Sequence, residues 1–504
     1  MDYDDRQPII VGVAQVEQRV DNPQVANEPL KLMVDAVKAA GVDCGNTKIL
    51  NEVDSIRVVR GVWGYSNPAR LVGELIGVTR VETGLTSLGG NYVQTLTNRS
   101  CLDIQTSKNE IIVVTGGECG HTQAKARKAG LNLAWNPLKR EPGANPIPRN
   151  DVDKPELFLG SNKITRHEAE LRRGIQWPIQ FYPIFETALR HANGESVKAH
   201  LKRVSELWER FSRAAVDNPN AWIRKQLSAN EIRTPSPSNR PISYPYTKLM
   251  NSNNSVDQGA ALILTSVGRA RQLGISKDRW IYPHAGTEAW DHLYVSERDN
   301  LYSSPGIRLS ANKLFELTGW GPETIDLVDL YSCFPAAVQI SAKEIGLSLD
   351  RSLTVTGGLT FSGGPLNNYV MHAIARMVEL LRMKPGAKGL VTANGGLLTK
   401  HALCIYSTEA PPKPFSCANV QNEVDATPRR KVALEHKGSA TIESYVVMYD
   451  AEGHPTIAHT ACILDDGRRT WANVLDREEV ESMIKEEFCY RTGIINGKGH
   501  LTLH

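Results

Sequence analysis

Residues 9–14 (IIVGVA) form an unbroken apolar run, and after a polar loop Leu30, Met33, Val34, Ala36, Val37 and Ala40 recur at helical spacing before Gly41. A short apolar run bounded by turn residues reads as a buried strand, and recurrence at i, i+3 and i+4 reads as a helix with one face in a core. Residues 53–58 repeat the strand signal and 69–76 the helical one. Val93, Leu96, Cys101 and Ile104 then share a helical face, and 111–114 (IIVV) is a second buried-strand run that ends in Gly116 and Gly117. Strands alternating with helices predict an α/β architecture with a parallel sheet.

From His121 to Tyr246 the texture changes. Prolines recur at 137, 142, 146 and 148, helical patterns cover 178–191 and 197–215, and no clean strand run is visible. The stretch reads as an insertion of helices and loops. After it the α/β rhythm returns: strands over 260–265 and 325–330, a helix opened by Pro335 and closed at Gly346, a helix over 368–382, and a strand over 389–393 running into Asn394, Gly395 and Gly396. Proline in a first turn and glycine past a last turn are the expected helix punctuation. Residues 413–427 read as a polar linker, and 438–449 and 456–464 alternate as strands around two turns, which predicts a hairpin-rich appendix closed as a small β-barrel. The predicted domains are 1–120, an insertion over 121–247, a return over 248–412, and an added domain over 413–504.

The two α/β stretches share one order of signals. LGGNYVQTL followed by IIVVTGGE in the first half answers FSGGPLNNYVMHAIARM followed by GLVTANGG in the second. Two such halves face to face bring two helix N-termini, with their unpaired N–H groups and positive dipole ends, towards one cleft. A cleft of that kind suits a carbonyl oxygen or an oxyanion.

Charge and cysteine usage narrow the classes. The 504 residues carry 58 basic and 55 acidic side chains, a balance that gives no reason to expect a nucleic-acid surface. The eight cysteines show no CxxC pair, so neither a zinc site nor a disulfide framework is indicated, and a reducing cytoplasm is expected. The opening MDYDDRQPII lacks the basic start and apolar centre of a signal peptide, and no stretch reaches the length of a membrane span. Dinucleotide, phosphate-loop, HExxH and GxSxG motifs are absent, and no metal or bound cofactor is expected.

Four loops remain: Leu88-Gly89-Gly90-Asn91, Tyr331-Ser332-Cys333-Phe334, Gly363-Gly364-Pro365 and Ala393-Asn394-Gly395-Gly396, with Gly116-Gly117-Glu118 read as a turn after the first. Their order and spacing resemble the thiolase superfamily. YTKLMNSNNSVDQGAALILT resembles that family's return from its insertion. With the C-terminal extension, QWPIQFYPIFETALR and ELWERFSRAAVDNPNAWIR, the whole chain resembles the subgroup called thiolase-like protein type 1. The resemblance implies duplicated thiolase-type halves in a five-layer α-β-α-β-α core, an acetyl-CoA acetyltransferase-like cleft, and acyl-CoA or a lipid-like molecule as ligand. It leaves open a dimer or a monomer, and a small accessory subunit.

Departures from the family pattern carry the functional argument. The family's nucleophilic cysteine falls on Gly89 or Gly90, its activating histidine on Gly364, and its second cysteine on Ala393 or a neighbour. Glycine supplies neither a nucleophile nor a base, so covalent thiolase chemistry has no visible agent here. The backbone donors of Gly89, Gly90, Asn91, Gly363, Gly364, Gly395 and Gly396 remain as an oxyanion cradle. Tyr331 stands where family members carry an oxyanion residue. In thiolase-fold aldolases a tyrosine in a similar Tyr-Asp-x-Phe loop serves as acid or base, although Ser332 replaces the aspartate here. His401, beside Lys400, is the surviving candidate general base. Cys333 reads as a small packed residue. The expected function is acyl-CoA recognition without a covalent nucleophile. The alternatives are a non-covalent aldolase or lyase acting on a β-hydroxyacyl-CoA through Tyr331, and a non-enzymatic acyl-CoA or lipid carrier.

Overall fold

The structure, a computed structural model, describes residues 5–133, 135, 153–161, 163 and 165–503. The four recurrent prolines of the insertion lie outside the described residues. In chain order the first strands are β1 (Pro8–Glu17), β2 (Ser55–Val58), β3 (Glu82–Thr86), β4 (Ile111–Cys119), β5 (Leu157–Leu159), β6 (Pro241–Tyr244), β7 (Tyr246–Thr247) and β8 (Asp257–Ser266). Six of them make one sheet in the order β1-β8-β4-β2-β3-β5. Then follow β9 (Tyr282–Trp290), β10 (Leu327–Asp329), β11 (Lys388–Gly395), β12 (Lys400–Ser407) and β13 (Ser416–Asn419), which form a second sheet in the order β10-β11-β12-β9-β13.

Duplication is visible in the pairing. β2–β4 is parallel, β4–β8 and β8–β1 are antiparallel; β10–β11 is parallel, β11–β12 and β12–β9 are antiparallel. Each half also places a helix before its central strand, Tyr92–Gln105 before β4 and Tyr369–Met383 before β11. Both helices touch strands of both sheets and so form the middle layer. They are buried nearly all round, which a helix between two sheets must be. Outside the first sheet, Pro29–Asp43 lays Leu30, Met33, Val37 and Ala40 on it, and Pro305–Thr318 does the same for β9 and β12. The result is the expected five-layer order.

Three expectations are corrected. Gly116 and Gly117 are not a turn: β4 runs through them to Cys119, fully buried. The insertion is not free of strands. Its β5 pairs in parallel with β3 and fills that sheet edge, and its β6 pairs with the C-terminal sheet. Residues 413–427 are not a plain linker, because β13 extends the second sheet and Gln421–Asp425 is helical. Domain limits at 247 and 412 are therefore crossed by pairing.

The C-terminal strands are β14 (Gly438–Tyr449), β15 (Pro455–Ile463), β16 (Arg469–Val474), β17 (Thr492–Ile495) and β18 (Leu501–Leu503), in the order β16-β15-β14-β17-β18. The two ends of that order meet where Asn473 bridges His500 and its N–H donates to the Gly499 carbonyl at 3.0 Å. The sheet thus rolls round its own core of Ile442, Tyr445, Val447, Ala472 and Val480. Insertion helix Pro178–Ala192 joins this unit to the rest. Its Arg190, 1% exposed, donates to both oxygens of Glu487 (2.9 and 3.1 Å) and to the hydroxyls of Tyr244 (3.0 Å) and Tyr445 (2.9 Å). No described helix is long and apolar enough to cross a membrane.

Candidate functional site

A cavity of about 1240 Å³ opens between the two halves and the insertion. The first loop reaches it through Leu88, Gly89 and Gly90, the second through Tyr331, Cys333 and Phe334, the fourth through Asn394, Gly395 and Gly396. The third loop contributes Leu366 and Asn367 rather than its glycines. The insertion supplies Thr165, Trp177 and Tyr182, and strand β12 supplies Lys400.

At Gly90, Gly364 and Gly395 the space that a side chain would need is already occupied. A Cβ added at Gly90 would overlap the Tyr331 hydroxyl and come within 2.5 Å of the Asn394 carbonyl oxygen. One added at Gly364 would overlap Ser252 Oγ, which donates to Asn254 Oδ1 at 2.9 Å. One added at Gly395 would overlap Asn91 Oδ1. Close-packed interiors do not yield such room without moving neighbours. The NSNNS run that supplies Ser252 and Asn254 carries no periodic signal that marks its role.

Tyr331 is held at both ends. Its N–H donates to Thr392 Oγ1 at 2.9 Å, and its ring meets Tyr369 edge-on at 5.6 Å. Among the described residues its hydroxyl has no hydrogen-bond partner, and it faces the cavity. Burial, with the Cys333 sulfur beside it, pushes the phenol well above its ordinary range. Tyr331 is therefore a neutral donor and not a base at neutral pH. Cys333 also lines the cavity, and burial pushes its thiol up to about 12. A thiol so held is not an activated nucleophile.

Asn394 adds an acceptor to the cavity wall. Its Nδ2 donates to the Tyr182 hydroxyl at 3.0 Å, while its Oδ1 is buried and, among the described residues, unpaired. Tyr182 in turn stacks on Phe334 at 4.3 Å and accepts the Leu398 N–H at 3.1 Å. Leu366 (φ 45°) and Leu398 (φ 55°) sit in the left-handed region beside the cavity, a conformation that costs a non-glycine residue energy and is concentrated at functional sites.

The remaining candidates separate. His401 does not reach the cleft: it is 2% exposed, and its Nε2 lies 2.9 Å from Asp291 Oδ2 and 3.4 Å from Ser304 Oγ. Burial raises the Asp291 carboxyl, and the His401 bond and charge more than offset this and hold it below the usual range. The pair anchors β12 to the helix Pro305–Thr318, since Asp291 also accepts from the Gly306 N–H at 2.8 Å. Gly89 is spent as a donor, its N–H going to Asn367 Oδ1 at 3.1 Å. Gly364 donates to the Asn253 carbonyl at 2.9 Å, Gly363 abuts Gln258, and Asn91 lies behind the wall. Gly90 and Gly396 line the cavity with N–H groups that have no partner among the described residues.

The two matched sheets, the central helices and four loops at one cleft, three of them bearing glycine, define a thiolase-fold protein. The peroxisomal thiolase of Saccharomyces cerevisiae superposes with a TM-score of 0.56 at 14% identity, over 81% of this chain and 99% of that one. An Ltp2–ChsH2(DUF35) aldolase superposes with a TM-score of 0.60 at 18% identity, over 80% and 98%. Residues 419–499 match the family model of the thiolase-like protein type 1 additional C-terminal domain. A monomeric SCP2-thiolase-like protein type 1 from Mycobacterium smegmatis is 30% identical over all of both chains, with a TM-score of 0.84. The chain belongs to the SCP2-thiolase-like type 1 family. Sterol carrier protein 2 of Oryctolagus cuniculus is 22% identical over 293 residues, and the chain spans about half the length of that curated relative.

Proposed function

We propose that the protein binds an acyl thioester of coenzyme A without forming a covalent adduct. One observation carries this reading: the Tyr331 hydroxyl occupies the space a side chain at Gly90 would need, beside the unspent Gly90 N–H, in a cavity that the unspent N–H of Gly396 also lines. Those groups are donors placed for a thioester carbonyl oxygen. The cavity mouth is lined by Arg60, Lys154, Lys163 and Arg166, which suits a phosphorylated carrier. The likeness to a thiolase and to sterol carrier protein 2 supports the same ligand class.

The lining holds donors and no free base. Asp153, its one carboxylate among the described residues, is tied to Arg70 at 2.8 Å and to Asn67 at 3.1 Å. Recognition is accordingly preferred to turnover. The second reading, a non-covalent carbon–carbon lyase, rests on the free Tyr331 hydroxyl and on the fold shared with the aldolase. It requires a base from elsewhere, such as a small accessory subunit.

Isothermal titration with acetyl-CoA, a long-chain acyl-CoA and free CoA, run beside intact-mass analysis, tests the reading. Saturable binding with unchanged protein mass supports it. An acylated residue, or no binding by any of the three, overturns it.

A further inference from the structure

Lys400 is a buried amine with no counter-ion among the described residues. It begins β12, opposite Gly395 on one side and Trp290 on the other, and is only 4% exposed. Its Nζ has the Tyr92 hydroxyl and the Ser161 carbonyl at 3.5 Å each, the outer limit of a hydrogen bond. The rings of Tyr92 and Trp290 lie 5.2 and 4.7 Å from it. Among the described residues no carboxylate comes within ion-pair distance. An ammonium has three donors, and two long contacts leave it under-satisfied. A buried charge left uncompensated is costly, and an entering anion removes that cost.

The cations at the mouth differ from this one. Lys154 and Lys163 are exposed and solvated, whereas Lys400 lines the cavity from within. The cavity thus presents two separate tiers of positive charge, one at the entrance and one inside. A carrier phosphate accounts for the first tier only.

We propose that Lys400 receives a carboxylate on the acyl portion of the ligand, so that the preferred ligand is the half-thioester of a dicarboxylic acid. This rests on the acyl-thioester reading above and adds the substrate class. Trp290 and Tyr92 form the apolar sleeve of the amine, and the inward carboxylate completes its hydrogen bonding.

The test titrates glutaryl-CoA and valeryl-CoA, which match in chain length and differ by the terminal carboxylate, into the wild type, Lys400→Met and Lys400→Gln. Glutaryl-CoA is expected to bind roughly tenfold to hundredfold more tightly to the wild type, the range of a charged hydrogen bond. That preference is expected to fall to about one in both variants. Lys400→Met is also expected to melt no lower than the wild type, because it removes an uncompensated charge. Equal binding of the two ligands by the wild type, or a preference that survives both substitutions, overturns the carboxylate site while leaving thioester recognition intact. Valeryl-3′-dephospho-CoA separates the other anion source. If Lys400→Met erases the discrimination between it and valeryl-CoA, the lysine holds a carrier phosphate and the proposal fails. If neither thioester binds, the thioester reading itself falls, and free glutarate then decides. Glutarate binding that is lost in Lys400→Met supports the anion site, and its absence overturns it.

Discussion

The Tyr331 hydroxyl stands where a side chain at Gly90 would have to go. A phenolic donor therefore fills the space that a side chain at position 90 would need. Gly90→Cys is expected to destabilise the fold by about 1–3 kcal/mol, the usual cost of overpacking, and to give no acylated protein after incubation with acyl-CoA. The double variant Gly90→Cys with Tyr331→Phe, which removes the overlapping hydroxyl and keeps the ring, is expected to recover part of the lost stability, the clash with the Asn394 carbonyl oxygen remaining. Thermal melts with intact-mass analysis check both; a single variant as stable as the wild type would refute the packing argument.

Tyr331→Phe removes the hydroxyl and keeps the ring against Tyr369. Acyl-CoA binding is expected to weaken about threefold to tenfold, in line with a net hydrogen bond of about 0.5–1.5 kcal/mol, with little change in melting temperature. Because burial holds the phenol neutral, wild-type binding is expected to show no Tyr331 titration between pH 6 and 9. Calorimetry of the variant across that interval reads both effects, and undiminished affinity in Tyr331→Phe would remove the tyrosine from the site.

Glu118 closes the GGE segment, and it is 3% exposed with one bond, from the Val62 N–H at 2.9 Å. Burial raises its carboxyl to about 8 in the folded protein, from an ordinary 4.5. Between those values the folded chain holds a proton that the unfolded chain has released, so its contribution to stability falls as pH rises. The slope approaches about 1.4 kcal/mol per pH unit within that window. Glu118→Gln is expected to flatten this part of the stability profile between pH 5 and 8, measured by urea denaturation of both proteins at several pH values. An unchanged slope would mean that Glu118 is ionised in the fold.

The duplication was legible because it repeats: two helices of one amphipathic grammar, each followed by an apolar run and a glycine pair. Strand β9 was not, since YPHAGTEAW carries His284, Thr287 and Glu288 inside a buried strand and shows no apolar run. β3 (ETGLT) hides for the same reason. The sequence does not separate the neighbours Lys400 and His401. Successive residues of a strand face opposite sides, so one enters the cavity and the other meets Asp291. Only the packing of Pro305–Thr318 against β12 decides which. The insertion's share of the cavity, Tyr182 and Thr165 above all, depends on contacts far apart in sequence that no local pattern encodes.

Arg190 ties the insertion to the C-terminal unit through Glu487, Tyr244 and Tyr445. The helix that holds it also presents Tyr182 to the cavity, so one element serves both the added domain and the site. Arg190→Met is expected to cost about 2–4 kcal/mol, below the figure for a fully buried pair because Glu487 is a third exposed. Limited proteolysis is expected to cut the variant first near the 413–437 segment. Resistance equal to that of the wild type would show that the domains hold together without this pair.

β5 lies along the outer edge of β3, with Leu157, Phe158 and Leu159 opposite Gly84, Leu85 and Thr86. An uncovered edge strand offers its backbone to a second chain. Here the chain's own insertion takes that place, and the Leu159 carbonyl accepts the Ser87 N–H at 2.8 Å. β5 is then the edge strand, and its three residues leave little free backbone for a second chain, so the protein is expected to sediment as a monomer at micromolar concentration. Proline at both Leu157 and Leu159 removes the N–H groups of the covering strand and is expected to expose β3, giving self-association that rises with concentration. A wild-type dimer in sedimentation velocity, or a double variant that stays monomeric and folded, would show that some other feature sets the association state.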